Sequence, residues 1–337
     1  MTVVVTGATG HVGANLVRAL ISQRRPTRAL IHVDRQAIEG LDIEVAEGDV
    51  RDPESLFQAF DGADAVYHLA ADIPLLKEDW PSLESTNITG TRNVVEACLR
   101  RGVRRLVHFS SIHAITQEPL NTEVNESRLL AESRSNQPYG RSKAAGEREV
   151  CRGIEMGLDA IIISPTAVIG PHDYKPSYFG QALLALAQGK LPALVASGFD
   201  WVDVRDVVAG AMRAEEQAPS GAKYLLSGHW ASLHDLAKQV EELTGTPAPG
   251  FLCPMWLARI GAPIATAFNR LAGKQSLYTS VSVGALHCNR NISHAKAAGD
   301  LGYHPRPFRE TLLDTLRWFE ETGQLTRSPR TPLEESL

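Results

Sequence analysis

The stretch Thr6-Gly7-Ala8-Thr9-Gly10-His11-Val12-Gly13 directly follows the apolar run Val3-Val4-Val5, and no other feature of the chain constrains its fold as tightly. Three glycines at this spacing, between a β-branched strand and an amphipathic helix, predict the opening of a βαβ unit. Gly7 lets the chain turn off the strand, Gly10 admits a ligand close to the backbone, and Gly13 lets the helix pack on the sheet. The turn leaves helix N-terminal N–H groups pointing outward, which suits the pyrophosphate of a dinucleotide. Thr9, His11 and Val12 belong to the same candidate contact.

Beyond this opening, short β-branched runs alternate with amphipathic segments, the pattern of a doubly wound parallel sheet. Strands are predicted at 2–6, 27–33, 43–47, 65–70, 105–110 and 160–164, and helices at 12–22, 53–60, 87–101 and 139–156. Asp52 is an N-cap with Pro53 at the first helical position. The polar stretch 112–138 reads as a loop over the carboxyl edge of the sheet. Past Pro165 the rhythm loosens into a smaller, mostly helical lobe. The expected division is a Rossmann-type dinucleotide domain over 1–165, rejoined by about 200–228. The substrate lobe then covers 166–199 and 229–322, with a flexible tail over 323–337. Ser232-Leu233-His234-Asp235 reads as a capping box, and Leu312, Leu316 and Phe319 share one face of a last helix.

Strand ends carry further cofactor candidates. Asp49, with Val50 beside it, closes the third strand and suits the adenine amino group, while Ala70 and Ala71 close the fourth and are small enough for a cofactor to pass. The second strand sets the ribose partner: an acid accepts a free 2′-hydroxyl, and a cation suits a 2′-phosphate. Arg28, His32, Asp34 and Arg35 stand there. The cations outnumber the acid, so the reading is NADP or NAD, with NADP favoured.

Tyr139 and Lys143 lie four residues apart, one helical turn, on one face. Reduction of a carbonyl builds negative charge on oxygen as hydride arrives, and a positioned acid must neutralise it. A phenol beside an ammonium suits that task, because the cation stabilises the phenolate and draws its pKa down. Ser111, at the end of the fifth strand, is placed to donate to the same oxygen. The pair opens a helix after that strand, so it faces the edge where doubly wound sheets bind ligands.

Net charge is −5, so no basic footprint favours nucleic acid. The apolar segment 254–273 is interrupted by Arg259, Asn269 and Arg270, which argues against a membrane span. Cys98, Cys151, Cys253 and Cys288 show no paired spacing. Buried free thiols in a reducing, cytoplasmic setting are expected, and no spacing suggests a metal site.

Together these residues resemble the extended short-chain dehydrogenase/reductase family, the NAD-dependent epimerase/dehydratase family, over nearly the whole chain. Gly48-Asp49-Val50, His68-Leu69-Ala70-Ala71, Asn87-Ile88-Thr89-Gly90-Thr91-Arg92-Asn93, Ser110-Ser111, Tyr139-x-x-x-Lys143 and Pro165-Thr166-x-Val168-Ile169-Gly170-Pro171 look like its landmarks. So do Val202-Asp203-Val204-Arg205-Asp206-Val207 and Leu301-Gly302-Tyr303-x-Pro305. The resemblance implies Ser111, Tyr139 and Lys143 as the catalytic trio, with Lys143 also holding the nicotinamide ribose. It implies that Asn87 braces the helix behind the site and that backbone from Pro165 to Val168 meets the nicotinamide amide. It also implies a homodimer built from the 87–101 and 139–156 helices.

Within that family the chain is most similar to dihydroflavonol reductase-like and 3β-hydroxysteroid dehydrogenase-like members. Sugar-nucleotide epimerases usually carry an Arg that grips the diphosphate, where this chain has Phe199; Ser164 likewise replaces an Arg often seen before Pro165. The expected function is therefore NAD(P)H-dependent hydride transfer at a carbonyl or secondary alcohol of an apolar or aromatic small molecule. A nucleotide-sugar epimerase or dehydratase is the alternative, and a non-catalytic dinucleotide-sensing protein a second. Phe251, Trp256, Leu257, Ile260, Ile264 and Phe268 are expected to form an apolar wall of the lobe or its core.

Overall fold

The computed structural model describes residues 1–73, 79–262, 279–286 and 288–326. Its centre is a seven-stranded, all-parallel sheet. The strands are β1 (Thr2–Thr6), β2 (Thr27–Ile31), β3 (Glu44–Glu47), β4 (Ala63–His68), β5 (Arg105–Phe109), β6 (Ala160–Pro165) and, much later, β10 (Lys223–Leu226). Their spatial order is β10-β6-β5-β4-β1-β2-β3. Chain direction across the sheet reverses between β1 and β4, and a crevice opens at such a switch point.

Both faces are covered, as a parallel sheet requires. Helices α1 (His11–Ser22) and α7 (Val204–Gln217) seal one side; Leu16, Val17, Val207 and Ala211 pack there with Val5, Tyr67 and Ile161. Helices α2 (Pro53–Ala59), α4 (Gly90–Arg101) and α5 (Pro138–Glu155) seal the other; Leu56, Val94 and Val150 meet Val4, Val66 and Leu106. Alternate residues of each strand thus enter different cores, which is why the strands read as continuous apolar runs.

The strands end a residue or more before the sequence expectation: β2 stops at Ile31, β4 at His68 and β5 at Phe109. The helix predicted from 87 begins earlier: α3 (Trp80–Leu83), a π-helical turn (Glu84–Thr89) and α4 follow one another without a break. Asn87 therefore sits inside a widened turn. The 112–138 stretch holds a 3₁₀ turn at Ile112–Ala114 and isolated bridges from Ile115 to Leu130 and from Val124 to Ile292.

The smaller lobe is built around a three-stranded sheet of β7 (Ala167–Ile169), β9 (Gly198–Asp203) and β11 (His229–Ser232). Short β8 (Leu194–Val195) pairs with β12 (Leu252–Cys253). Helices α6 (Tyr178–Ala187), α8 (Leu233–Thr244) and the terminal helix Phe308–Glu321 close its core. The capping box at Ser232 and Asp235 is present, and Leu312, Leu316 and Phe319 are fully buried.

Two expectations are corrected. Phe251, Trp256 and Ile260 are not core: they are exposed by 56%, 65% and 60%, and Leu257 is exposed as well. The helical stretch 255–262 turns Ala258 and Ala262 inward instead. Ile264 and Phe268 lie outside the described residues. Among the thiols, Cys98 is buried, but Cys151 is on the surface.

Candidate active site

The glycine turn behaves as its spacing requires. Gly7 has φ +68°, and a Cβ there would stand 2.6 Å from the Ala70 nitrogen. A Cβ on Gly13 would fall 2.1 Å from the Gly7 carbonyl oxygen, so α1 packs on the turn only with glycine. A Cβ on Gly10 meets nothing closer than the Gly7 oxygen at 3.4 Å; it would project into the crevice. No described side chain caps α1 and no acid occupies its first turn. An uncapped, acid-free N-terminus beside a groove without Cβ atoms fits a pyrophosphate. Ala70 and Ala71, half-buried, border the same groove from the end of β4. Thr9 and Val12 lie on the turn, half-buried. The His11 ring turns away from it, its Nε2 lying 3.2 and 3.1 Å from the carbonyl oxygens of Gly170 and Pro171.

At the far end of the groove the ends of β2 and β3 meet. His32 Nε2 lies 3.4 Å from Asp49, whose carboxylate also accepts from the Arg51 guanidinium and is held below its usual range chiefly by that bond. Arg35 pairs with Glu47. Asp34 pairs at 2.6 Å with Lys175, which lowers its pKa and comes from the strap between β7 and α6. That strap also docks on α1: Arg18 donates to the Tyr174 hydroxyl at 2.6 Å, and Asn15 donates to the Pro171 carbonyl at 2.9 Å. Val50 is buried, with its carbonyl accepting from Asn93 at 3.0 Å, so only its backbone neighbourhood borders the groove.

The predicted trio comes together at the carboxyl end of β5. Ser111 follows the strand by two residues and caps the 3₁₀ turn, its hydroxyl accepting from the His113 N–H at 3.2 Å. The same hydroxyl lies close enough to the Tyr139 phenol to lower the phenol's pKa. Gly140 lets α5 begin hard against this turn, because a Cβ there would lie 2.4 Å from the His113 carbonyl oxygen. Lys143, one turn further on, is buried and donates to the Phe109 carbonyl at 2.7 Å.

The electrostatics differ from the sequence expectation. Desolvation pushes the Tyr139 phenol up to about 12, with Ser111 pulling down and the Asp72 charge pushing up. Lys143 is not among the groups that shift it; its ammonium is turned to the strand carbonyl. Burial draws Lys143 itself down to about 8, opposed by Glu147. Tyr139 is thus a protonated donor at neutral pH, with a buried cation one helical turn away.

Asn87 does not present its side chain to the groove. Its amide oxygen accepts from the Asp72 N–H at 2.8 Å, and its nitrogen donates to the Asp72 carbonyl at 3.0 Å and to Ser142 at 2.9 Å. Ser142 in turn donates to the Tyr139 carbonyl at 2.8 Å. Asn87 therefore ties the end of β4 to the start of α5. A second relay joins the glycine turn to the same point: Thr6 bonds His68 Nδ1 at 2.8 Å, His68 Nε2 bonds Thr91 at 3.1 Å, and Thr91 donates to the Asn87 carbonyl at 2.8 Å. Burial and the Lys143 charge draw His68 down to about 3, so it bridges the two hydroxyls as a neutral ring. Thr6, His68 and Thr91 stand inside the quoted sequence motifs but were given no role there, and Ser142 was not named; its position beside Tyr139 was the available signal.

Pro165 ends β6 in the main sheet and Val168 lies in β7, so the chain crosses from the dinucleotide domain to the lobe between them. Phe199 sits inside the lobe, edge-on to Phe179 at 5.0 Å and to Trp201 at 5.4 Å. These rings line a small apolar cavity together with Tyr178, Leu186 and Ser282. The short helix carrying Ser282, Ser280–Ala285, abuts Gln137, the residue preceding α5. One of the elements lining the cavity thus touches the residue that precedes the helix presenting Tyr139.

Residues 3–226 match the profile described as the NAD dependent epimerase/dehydratase family. The chain belongs to that family. It is an NAD(P)-dependent enzyme of the extended short-chain dehydrogenase/reductase type, similar to dihydroflavonol reductase-like and hydroxysteroid dehydrogenase-like members. It is 35% identical to "Sterol demethylase protein B" of Methylococcus capsulatus, over 96% of this chain and 100% of that one. It is 30% identical to the "Putative dihydroflavonol 4-reductase" of Synechocystis sp., over 95% and 94%. Among solved structures, PA4631 of Pseudomonas aeruginosa, titled a nucleoside-diphosphate-sugar epimerase, superposes with a TM-score of 0.79 at 25% identity, covering 97% of this chain and 99% of that one. Among the described residues no helix is long and apolar enough to cross a membrane.

Proposed function

We propose that the chain is a nicotinamide-dependent reductase or dehydrogenase acting on a carbonyl or secondary alcohol of an apolar or aromatic small molecule. A bound nicotinamide ring supplies or accepts the hydride. Tyr139 delivers or takes the proton at the substrate oxygen, and Ser111 holds that oxygen by a second hydrogen bond. Lys143 keeps a positive charge beneath the site and orients the nicotinamide ribose. The glycine turn binds the pyrophosphate, with Ala70 and Ala71 alongside.

The observation that carries the substrate class is Phe199. A diphosphate calls for a bidentate cation, and this position is a ring buried against Phe179 and Trp201. The relatives whose names specify a sterol-processing protein and a dihydroflavonol reductase support the same class. The similarity to a sugar-nucleotide epimerase favours a second reading, nucleotide-sugar epimerisation or dehydration on the same Tyr139 machinery. For the cofactor we favour NADP over NAD. Lys175 occupies Asp34, the acid best placed for a free 2′-hydroxyl, and His32, Arg35 and Arg51 gather at the same strand ends.

Turnover of NADH and NADPH against polycyclic ketones and flavanone-type ketones, in parallel with UDP-, GDP- and dTDP-sugars, separates the two readings. Reduction of the apolar ketones alone supports the first. Conversion of the sugar nucleotides alone replaces it with the second.

A further inference from the structure

One buried charge at the site is used by no step above. Glu147 lies on α5 one turn beyond Lys143, so Tyr139, Lys143 and Glu147 form one stripe at successive intervals of four residues. Glu147 is 2% exposed. One of its carboxylate oxygens accepts from the Ser110 hydroxyl, and the other pairs with the Lys223 ammonium of β10 at 2.6 Å. Ser110 stands between Phe109, whose carbonyl receives Lys143, and Ser111, whose hydroxyl acts on the phenol. Its N–H is fixed in turn to the Ile163 carbonyl at 2.7 Å.

We infer that Glu147 is a positioning residue for the Tyr139–Lys143 pair: it pins the strand end that bears both of their partners and supplies the counter-charge of the buried Lys143 ammonium. The inference rests on the reading of Lys143 as the cation of the site.

The surroundings show why a counter-charge is needed. From β4 and β5, Lys143 faces His68 and His108, whose rings feel its charge and are driven neutral by burial. The His108 nitrogens have no hydrogen-bond partner among the described residues, so they lend the ammonium no acceptor. Lys223 on β10 is a second cation, and Asp72 acts on Tyr139 rather than on Lys143. Glu147 is the acid that raises the Lys143 affinity for its proton. A buried cation without such a partner sheds its proton.

The test reads Lys143 directly and needs no substrate. The chain has eight lysines, so protein labelled with ¹³C at lysine Cε gives a spectrum in which Lys143 is assigned by its loss in Lys143→Arg. In the wild type its resonance is expected to titrate with a midpoint near 8. Glu147→Gln keeps a hydrogen-bonding side chain and removes the charge, and the midpoint is expected to fall by about one pH unit or more. Glu147→Asp retains the charge and restores most of the shift. Lys223→Met, which frees Glu147 from the competing cation, moves the midpoint upward and serves if Glu147→Gln does not fold. A folded Glu147→Gln with an unmoved midpoint, or an unmoved midpoint in Lys223→Met, overturns the inference. Because no turnover is measured, failure of the proposed substrate class leaves this result readable.

Discussion

The Lys143 ammonium donates to the Phe109 carbonyl oxygen at 2.7 Å, and that single bond ties the second turn of α5 to the end of β5. Two residues beyond Phe109 stands Ser111, and one turn before Lys143 stands Tyr139. The site is therefore assembled by closing a strand end against a helix start, with a buried cation as the fastener. A charge left in such a place has consequences for pH.

Lys143 loses its charge as pH rises through about 8, whereas the Tyr139 phenol stays protonated to about 12. Carbonyl reduction needs the phenol protonated and the ammonium charged. The kcat/KM for reduction is therefore expected to be level from pH 6 to 7 and to fall on the alkaline side with a midpoint near 8, as the lysine and not the tyrosine titrates. A profile of rate against pH in constant ionic strength checks this; a limb near 12 alone would assign control to the phenol.

Gly13 and Gly10 should respond differently to the same methyl group. Gly13→Ala drives a Cβ into the Gly7 carbonyl and is expected to cost about 3 kcal/mol of stability. Gly10→Ala meets only the Gly7 oxygen at an ordinary 3.4 Å; its Tm should stay near wild type while cofactor Kd rises roughly tenfold or more through lost backbone approach. Thermal melts and cofactor fluorescence titrations on both variants distinguish the two effects.

Asn87→Leu removes an amide that satisfies both polar groups of the Asp72 backbone and Ser142. Stability should fall by roughly 2–4 kcal/mol, since buried partners are left unpaired. Because Ser142 holds the Tyr139 carbonyl, kcat should fall more than cofactor affinity. Denaturant unfolding and steady-state kinetics on the same protein read both.

Lys175→Ala frees Asp34 from its ion pair. The liberated carboxylate accepts a 2′-hydroxyl and repels a 2′-phosphate. The ratio of kcat/KM for NADPH over NADH should drop, by roughly tenfold, the pair being exposed. An unchanged ratio would remove the strap from cofactor selection.

Much of this was legible in the sequence where local chemistry decides structure. The glycine turn, Tyr139 and Lys143 on one helix face, and the Ser232 capping box are each set by residues within a few positions. What escaped depends on distant segments. Lys175 reaches Asp34 from a strap more than a hundred residues away, and no local pattern reports that pairing. Residues of β9 are buried on both faces, so the alternation that marks a half-buried strand is missing, and the lobe sheet was not anticipated. The widened turn around Asn87 has no sequence signature, although it aims the residue at Asp72 and Ser142. Phe251, Trp256 and Ile260 have the composition of a core, yet Ala258 and Ala262 occupy the inward face. The expected pull of Lys143 on the phenol failed because helical spacing places two residues together without fixing where the ammonium points.

The central claim is that the Tyr139 hydroxyl moves the proton that accompanies hydride transfer. The most direct measurement is Tyr139→Phe, assayed for nicotinamide oxidation with a ketone that the wild type reduces and titrated for cofactor binding in the same buffer. The account predicts a loss in kcat of about 10²–10⁴-fold with cofactor Kd within about twofold of wild type. A variant that turns over at the wild-type rate would contradict it.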